Sequence, residues 1–538
     1  MGMDSLEGQV SQLWCEVLDR PHVDPDDNFF DLGGDSLLAI RLARRAQQRG
    51  LSIGLPEIFE CANLRQFVEL ATRNSDAGSD RDEVVPFALT PIQQLSLART
   101  TRLNDLTVAQ LLTIHEAVTE GQVLAALGAV VARHGSLRSR IDVTATPPRQ
   151  QIVAVADHQL PVRVVEVPPD RHYAVRATAD EARAEVDLAT ASVAVFRILA
   201  HGGRPWGLLA VLHHLMFDGL SWDVIHADLE EALQRARQGL AAQPRPATSM
   251  RAWVSFAINH TTSDEAARYL TYWRGRPWDR LPDALRSSDV HPRPLAEIAT
   301  IRSTCAVADE ARRRRLRQRG YETVITSAIN MGLVTVLGAT ATLIDVVING
   351  RDQIRSGPDL SRTVGWLAEY VSTFFDLGDA VSPPRVLSAT ARSLADIPGS
   401  RLIGRWARDH YPDPAVRSEL RDMPEPAVSL NLRLVDDAGT CASVLRLADV
   451  DLGIGLSGGE RQPYMLKVVC DLSGEVLSTQ FRYHPGELAT PVVQLLVEEY
   501  ERMISFVLDQ DPAEEHEPGQ QSGCFPLIAT EADTNDDF

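Results

Sequence analysis

Leu212-His213-His214-Leu215-Met216-Phe217-Asp218-Gly219 is the stretch that decides the fold. It closes a mostly apolar run over residues 206–213, which predicts a buried strand. Residues 221–238 then place Trp222, Ile225, Leu229 and Leu233 at helical spacing. Two histidines and an aspartate therefore sit where a strand end opens into a loop, a natural place for reactive side chains. Acyl transfer to an amine needs a group of near-neutral pKa beside the attacking nitrogen, and stabilisation of a developing oxyanion. Histidine suits the first task. Neighbouring side chains on extended backbone point to opposite faces, so only one of His213 and His214 faces a given cavity. A single buried histidine is more often structural than catalytic. Adjacent histidines seldom ligate one ion and no third ligand is evident, so no metal is expected.

Outward from this stretch, helices and strands alternate from about Val84. Residues 122–133 and 491–508 read as helices, and 342–348 and 428–435 as strands. Residues 465–470 and 476–483 flank Ser473-Gly474, a hairpin signal. Residues 1–75 differ. Leu6, Val10, Leu13, Trp14, Val17 and Leu18 recur at helical spacing, residues 36–48 repeat the pattern, and 63–72 form a third helix with Asn63 as N-cap. Residues 73–83 are polar and aperiodic, hence a linker that tethers the first domain near the second while letting it reorient.

The 538 residues exceed one hydrophobic core and suggest about three or four folding units. A composition of 44% hydrophobic and 23% charged residues excludes wholesale disorder. The net charge of -20 argues against nucleic acid as a partner. The run Arg312-Arg313-Arg314-Arg315, with Arg317 and Arg319, is expected to be a solvated helix face. Cys15, Cys61, Cys305, Cys441, Cys470 and Cys524 form no C-x-x-C pair and do not cluster with histidines, so neither a disulfide framework nor zinc is indicated. With a polar, acidic amino terminus and no apolar run of membrane length, a cytoplasmic protein without membrane contact is expected. From Asp511 the chain is acidic and polar, predicting a disordered tail over 511–538 with a short apolar island at Cys524-Phe-Pro-Leu-Ile528.

Asp27-Asn-Phe-Phe-Asp-Leu-Gly-Gly-Asp-Ser-Leu-Leu-Ala-Ile40 is the most specific signal of the first domain. Gly33-Gly34 predicts a tight turn, after which Ser36 opens a helix. A phosphodiester on its hydroxyl would meet free N–H groups and the positive end of the helix dipole. Asp35 or Ser36 acting merely as a cap does not explain the preceding Phe-Phe-Asp-Leu-Gly-Gly. This segment resembles the peptidyl-carrier family over about residues 4–75. The resemblance implies a small four-helix bundle and 4'-phosphopantetheine on Ser36, added by a separate phosphopantetheinyl transferase and holding an aminoacyl or peptidyl thioester. Asp35, where histidine is the alternative, is commoner in carriers that precede epimerisation domains.

The histidine stretch resembles the condensation superfamily of nonribosomal peptide synthetases. Leu89-Thr-Pro-Ile-Gln-Gln94 is similar to that family's opening motif, and Arg133-His-Gly-Ser-Leu-Arg-Ser-Arg140 to its Arg-His-x-x-Leu-Arg segment. The resemblance runs over about residues 85–510. It implies an α/β, chloramphenicol-acetyltransferase-like domain with two lobes, 85–255 and 256–510, and a tunnel between them; the linker is then 76–84. His214 is implied as the catalytic residue facing the tunnel, His213 as structural, Asp218 as paired with an arginine that holds the loop, and Gly219 as permitting the turn. Arg138 is the candidate arginine.

The superfamily holds both condensation and epimerisation domains, and the motifs conflict. Asp359-Leu-Ser-Arg-Thr-Val-Gly-Trp366 and Ile397-Pro-Gly-Ser-Arg-Leu-Ile-Gly404 look like epimerase motifs. Epimerisation removes a Cα proton and returns one to the other face, which calls for acid/base groups on both sides. Epimerases carry the second group as a glutamate before a Gly-His-Gly-Arg segment. Here the stretch is Asp345-Val-Val-Ile-Asn-Gly-Arg-Asp352, with valine or isoleucine at that place. Glu369, three residues after Trp366, is a speculative substitute. Amide formation demands one positioned histidine and correct orientation. Acyl transfer to an amine is the leading expectation, epimerisation of the carrier-bound Cα the alternative, and a non-catalytic platform recruiting a tailoring enzyme the third. No adenylation signature is visible, so an adenylation domain in cis or trans is expected to load the carrier, with another carrier domain or a soluble amine as acceptor.

Overall fold

The computed structural model describes residues 6–18, 20–34, 38–39, 42, 45, 58 and 63–68. It also describes 84–509 apart from 101, 288–292, 295–296, 308, 353, 355–356, 436–443, 449, 451, 453–460 and 474. The linker, the acidic tail, Asp35 and Ser36 lie outside the described residues. So does most of the expected four-helix bundle, beyond the helix Leu6–Leu18 and helical residues 64–68.

In that first domain Val10, Leu13, Trp14 and Val17 lie on one buried stripe. Trp14 meets Phe29 and Phe67 edge-on, with ring centroids 5.2 and 5.7 Å away. Burial of such a side chain contributes about 2–3 kcal/mol. Asn63 Oδ1 accepts the Gln66 N–H at 3.0 Å, the N-cap its residue type predicts.

Among the described residues, the larger part is built on two main sheets, of five and six strands, with a three-stranded sheet and two two-stranded ones beside them. The first, in its amino-terminal half, has the order Leu445–Leu447, Thr107–Ile114, Arg204–His213, Ala194–His201 and Val162–Glu166. Its pairs are antiparallel except the last. The second has the order Ala299–Ala306, Val476–Tyr483, Leu466–Ser473, Val428–Val435, Ala341–Ile348 and Glu369–Asp376. Val428–Val435 runs parallel to both its neighbours. Leu466–Ser473 and Val476–Tyr483 form the predicted antiparallel hairpin. Leu445–Leu447 departs from the second half of the chain and completes the first sheet at its Thr107–Ile114 edge.

Helix Glu120–Arg133 and helix Gly219–Arg237 cover the first sheet through Val123, Leu127, Ile225 and Leu229. Helices Tyr321–Leu337 and Thr490–Asp509 cover the second. Gly332 sets their approach: a Cβ there would lie 2.9 Å from the Leu496 carbonyl oxygen.

The basic run forms helix Glu310–Arg319. It is more than a solvated face. Arg315 donates to the Leu508 carbonyl and Arg319 to that of Val507, satisfying the last turn of Thr490–Asp509. Arg312 pairs with Asp509, and Arg313 with Glu310 and Glu475. Cys15, Cys305 and Cys470 carry free thiols. Among the described residues no helix is long and apolar enough to cross a membrane.

Candidate active site

The strand Arg204–His213 ends at a 3-10 turn, His214–Met216, and Asp218 caps the helix Gly219–Arg237. The predicted strand–loop–helix is therefore present. His213 is the last strand residue, paired with Thr107. It is fully buried. Its Nε2 lies 2.7 Å from the Leu103 carbonyl oxygen and donates to it, while Nδ1 accepts the Leu215 N–H at 3.2 Å. These bonds assign the tautomer, since a carbonyl can only accept and an N–H only donate. Burial pushes the His213 pKa down to about 4, so the ring is neutral at physiological pH.

The next residue, His214, has different neighbours. His214 is 5% exposed and its ring contacts two aromatic side chains. Phe217 stacks on it at 5.1 Å between centroids and Trp366 lies at 4.4 Å, tilted by 42°. Its backbone is held by a bond from the His214 N–H to the Leu106 carbonyl, 2.9 Å.

Asp218 fixes the loop. Its carboxylate accepts Arg351 Nη1 at 2.7 Å and Nη2 at 2.9 Å, Ser221 N–H at 3.0 Å and Oγ–H at 2.8 Å, and Leu367 N–H at 3.0 Å. Burial alone would raise its pKa, but the Arg351 guanidinium and these donors outweigh it and hold it below the usual carboxylate range. Arg351 Nη2 also donates to the Thr363 carbonyl, 2.9 Å.

The arginine expected here, Arg138, is elsewhere. Its guanidinium donates to the carbonyls of Val131, Ala132 and Val153. Arg138 follows helix Glu120–Arg133 by one short turn, and the orphan carbonyls at that helix end attract it. The partner is instead Arg351, which follows Gly350 in the stretch aligned with Gly-His-Gly-Arg. Gly350 before it has no room for a side chain, since a Cβ would overlap the Leu367 carbonyl oxygen.

Glu369 begins the strand Glu369–Asp376 and is buried. Oε2 accepts the Ile92 N–H at 3.2 Å and Oε1 its neighbour Tyr370's N–H at 3.1 Å. Burial pushes its pKa up to about 8. In the register, Glu369 faces Ile348, while Tyr370 faces Val347. Directly opposed residues share a face and neighbours alternate, so Tyr370, not Glu369, is on the face of Val347. Asp345 on the same strand accepts from Arg405, from Tyr464 Oη at 2.7 Å and from Ser372 Oγ at 2.7 Å.

The motif residues His134 and Ser136 brace the loop 359–366, while Arg133 donates to the Ala247 carbonyl. His134 Nε2 and Asp228 Oδ2 are 2.7 Å apart, Arg362 bonds the other oxygen of Asp228, and Ser136 Oγ donates to the Val364 carbonyl at 2.6 Å. Among the described residues no group of three or more His, Cys, Asp or Glu is arranged to hold a metal.

In the first domain, the turn at Gly33-Gly34 is as tight as predicted. Gly33 adopts φ +98°, and a Cβ on Gly34 would overlap the Phe29 ring. Only glycine fits this pair of positions.

Residues 8–71 match the phosphopantetheine attachment site family and residues 86–398 the condensation domain family. A linear gramicidin synthase polypeptide of Brevibacillus parabrevis is 25% identical over 89% of this chain, which covers 10% of that protein. The chain thus spans about a tenth of the length of such curated relatives. Among solved structures, the epimerization domain from the third module of tyrocidine synthetase B aligns with a TM-score of 0.68 at 19% identity, covering 80% of this chain and 99% of that one. A condensation domain that mediates chain release from the enacyloxin polyketide synthase aligns at 0.57 and 19%, covering 84% and 89%.

Proposed function

The chain belongs to the condensation domain family, with a phosphopantetheine attachment domain ahead of it, and from that premise we propose that it is a nonribosomal peptide synthetase component that transfers a carrier-bound acyl group to an amine at His214. The 4'-phosphopantetheine supplies a long arm and a thioester. Ser36 carries it, after action by a phosphopantetheinyl transferase. His214 takes the proton of the attacking amine as the C–N bond forms and the C–S bond breaks, and the thiolate leaving group is then protonated. His213, held neutral, fixes the strand end. Asp218 and Arg351 hold the loop, and Gly219 opens the helix beneath it. An adenylation domain, in cis or trans, supplies the acyl group, and another carrier domain or a soluble amine accepts it.

One observation carries the choice of reaction. Where epimerases place their second acid/base, this chain has a valine or isoleucine, Val347 or Ile348, and neither side chain can move a proton. One positioned imidazole meets the needs of aminolysis but not of a two-sided proton exchange. Epimerisation remains as a second reading on a specific ground: Glu369, a buried carboxyl that holds its proton near neutral pH, stands opposite Ile348 in the register.

The test is direct. The full chain is loaded on Ser36 with alanyl-phosphopantetheine by a phosphopantetheinyl transferase and offered a panel of amines, with products read by mass spectrometry. Amide product lost in His214→Ala, and loading lost in Ser36→Ala, are expected. Amide formation undiminished by His214→Ala would refute the assignment.

A further inference from the structure

The turn that opens helix Pro91–Arg99 touches both lobes of the site. Ile92 N–H meets Glu369, and Gln93 Nε2 donates to the Leu215 carbonyl at 2.6 Å. Leu215 is the residue after His214, inside the 3-10 turn that carries the imidazole. Gln93 is itself buried and oriented. Its Oε1 accepts the Thr90 N–H at 2.9 Å and Gln150 Nε2 at 3.1 Å, and Gln150 Nε2 also donates to the Ala88 carbonyl at 2.9 Å. With two donors on Oε1, the amide can present only its NH2 to Leu215. The helix cap uses the oxygen end of Gln93, and the histidine turn uses the nitrogen end. The two tasks are separable.

We propose that Gln93 is a positioning residue for His214, acting through the Leu215 carbonyl, with Gln150 setting the orientation of its amide. The inference rests on His214 as the reactive group. Gln93→Glu separates the roles, because glutamate keeps the capping box but exchanges the N–H donor for a carboxyl. When neutral, that carboxyl donates O–H to Leu215. When ionised, it sets negative charge against a carbonyl oxygen. Glu369 beneath Ile92, His213 and His214 on the facing turn, and Arg99 at the far end of the helix are common to both proteins, so the difference between them isolates position 93.

The experiment uses the alanyl-loaded full chain and the best amine of the panel. Gln93→Glu should lose about tenfold in kcat at pH 8 with KM little changed, and recover as pH falls; Gln93→Leu should not recover. A wild-type pH profile and kcat in Gln93→Glu would overturn the proposal. Ring-labelled histidine NMR decides independently of turnover, with His214 signals assigned by their loss in His214→Ala. Shifted His214 signals in Gln93→Glu at pH 8 are expected, and unchanged signals overturn the role. A wild-type chain that shows no His214-dependent turnover contradicts the acyl-transfer function alone, while the ring signals still settle whether Gln93 positions His214.

Discussion

Asp218 and Arg351 meet in a buried two-point ion pair, Oδ2 to Nη1 at 2.7 Å and Oδ1 to Nη2 at 2.9 Å. The pair joins the histidine loop to Arg351, 133 residues further along the chain. Charges at this depth are stable only when fully paired. Here the carboxylate also serves the Leu367 and Ala368 N–H groups, so the site loop hangs on the same oxygen.

Removing one partner leaves the other charge buried and alone. Arg351→Ala should therefore cost about 3–5 kcal/mol, read as a lowered urea midpoint, and abolish His214-dependent turnover. Arg351→Lys, which cannot make the planar two-point contact, should fall between. A lysine variant equal to the parent in both would contradict the geometry. Because the folded pKa of Asp218 is depressed, its contribution is present above the unfolded value and is lost only as pH falls through the folded one. The pair is silent at neutral pH.

His213 has the opposite sense. Its folded pKa, about 4, lies below the unfolded value of about 6.5, so the unfolded chain binds the extra proton between them. Stability should rise with pH across this window, by on the order of 3 kcal/mol. Urea midpoints from pH 4 to 7 should show a shallower slope in His213→Gln than in the parent. Equal slopes would show that the ring is not the titrating group.

Glu369 holds its proton to about pH 8 in the fold, against about 4.3 unfolded. A raised carboxyl pKa lowers stability as pH rises through that window. Glu369→Gln keeps an acceptor for the Ile92 N–H and has nothing to ionise. It should be more stable than the parent at pH 8.5 and should flatten the decline above pH 5. On the acyl-transfer reading, amide formation should survive the substitution.

Gly350 has the Leu367 carbonyl where a side chain would be, whereas Gly128, in helix Glu120–Arg133, has nothing within 4 Å. Gly350→Ala should cost about 3 kcal/mol, since backbone cannot swing aside as a side chain can. Gly128→Ala should be neutral or stabilising by up to about 1 kcal/mol. Calorimetric melting of the two variants gives the contrast.

The sequence pattern made the local elements plain. The strand expected over 206–213 spans Arg204–His213, and the helix expected over 491–508 spans Thr490–Asp509. Both follow from apolar spacing, which is a property of neighbours. The tight turn at Gly33-Gly34 was also legible, from its paired glycines. The partner of Asp218 was not. Arg351 lies 133 residues away, and no periodicity connects them. Arg138 was nearer in sequence, but the orphan carbonyls of its own helix end claimed it. The ties of Gln93 to Leu215 and of Glu369 to Ile92 were hidden for the same reason. The basic run at 312–315 looked like a solvated face because its acceptors, the carbonyls of Val507 and Leu508, belong to a helix nearly two hundred residues later.

Carrier-bound alanine in deuterated water, with the amine panel present, poses acyl transfer against epimerisation in one tube. Mass spectrometry of the released alanyl group and of the amide reports both. Amide formation that requires His214, with no His214-dependent deuterium at Cα, is the predicted result. Deuterium uptake that vanishes in His214→Ala, without amide, would make the domain an epimerase and contradict the account.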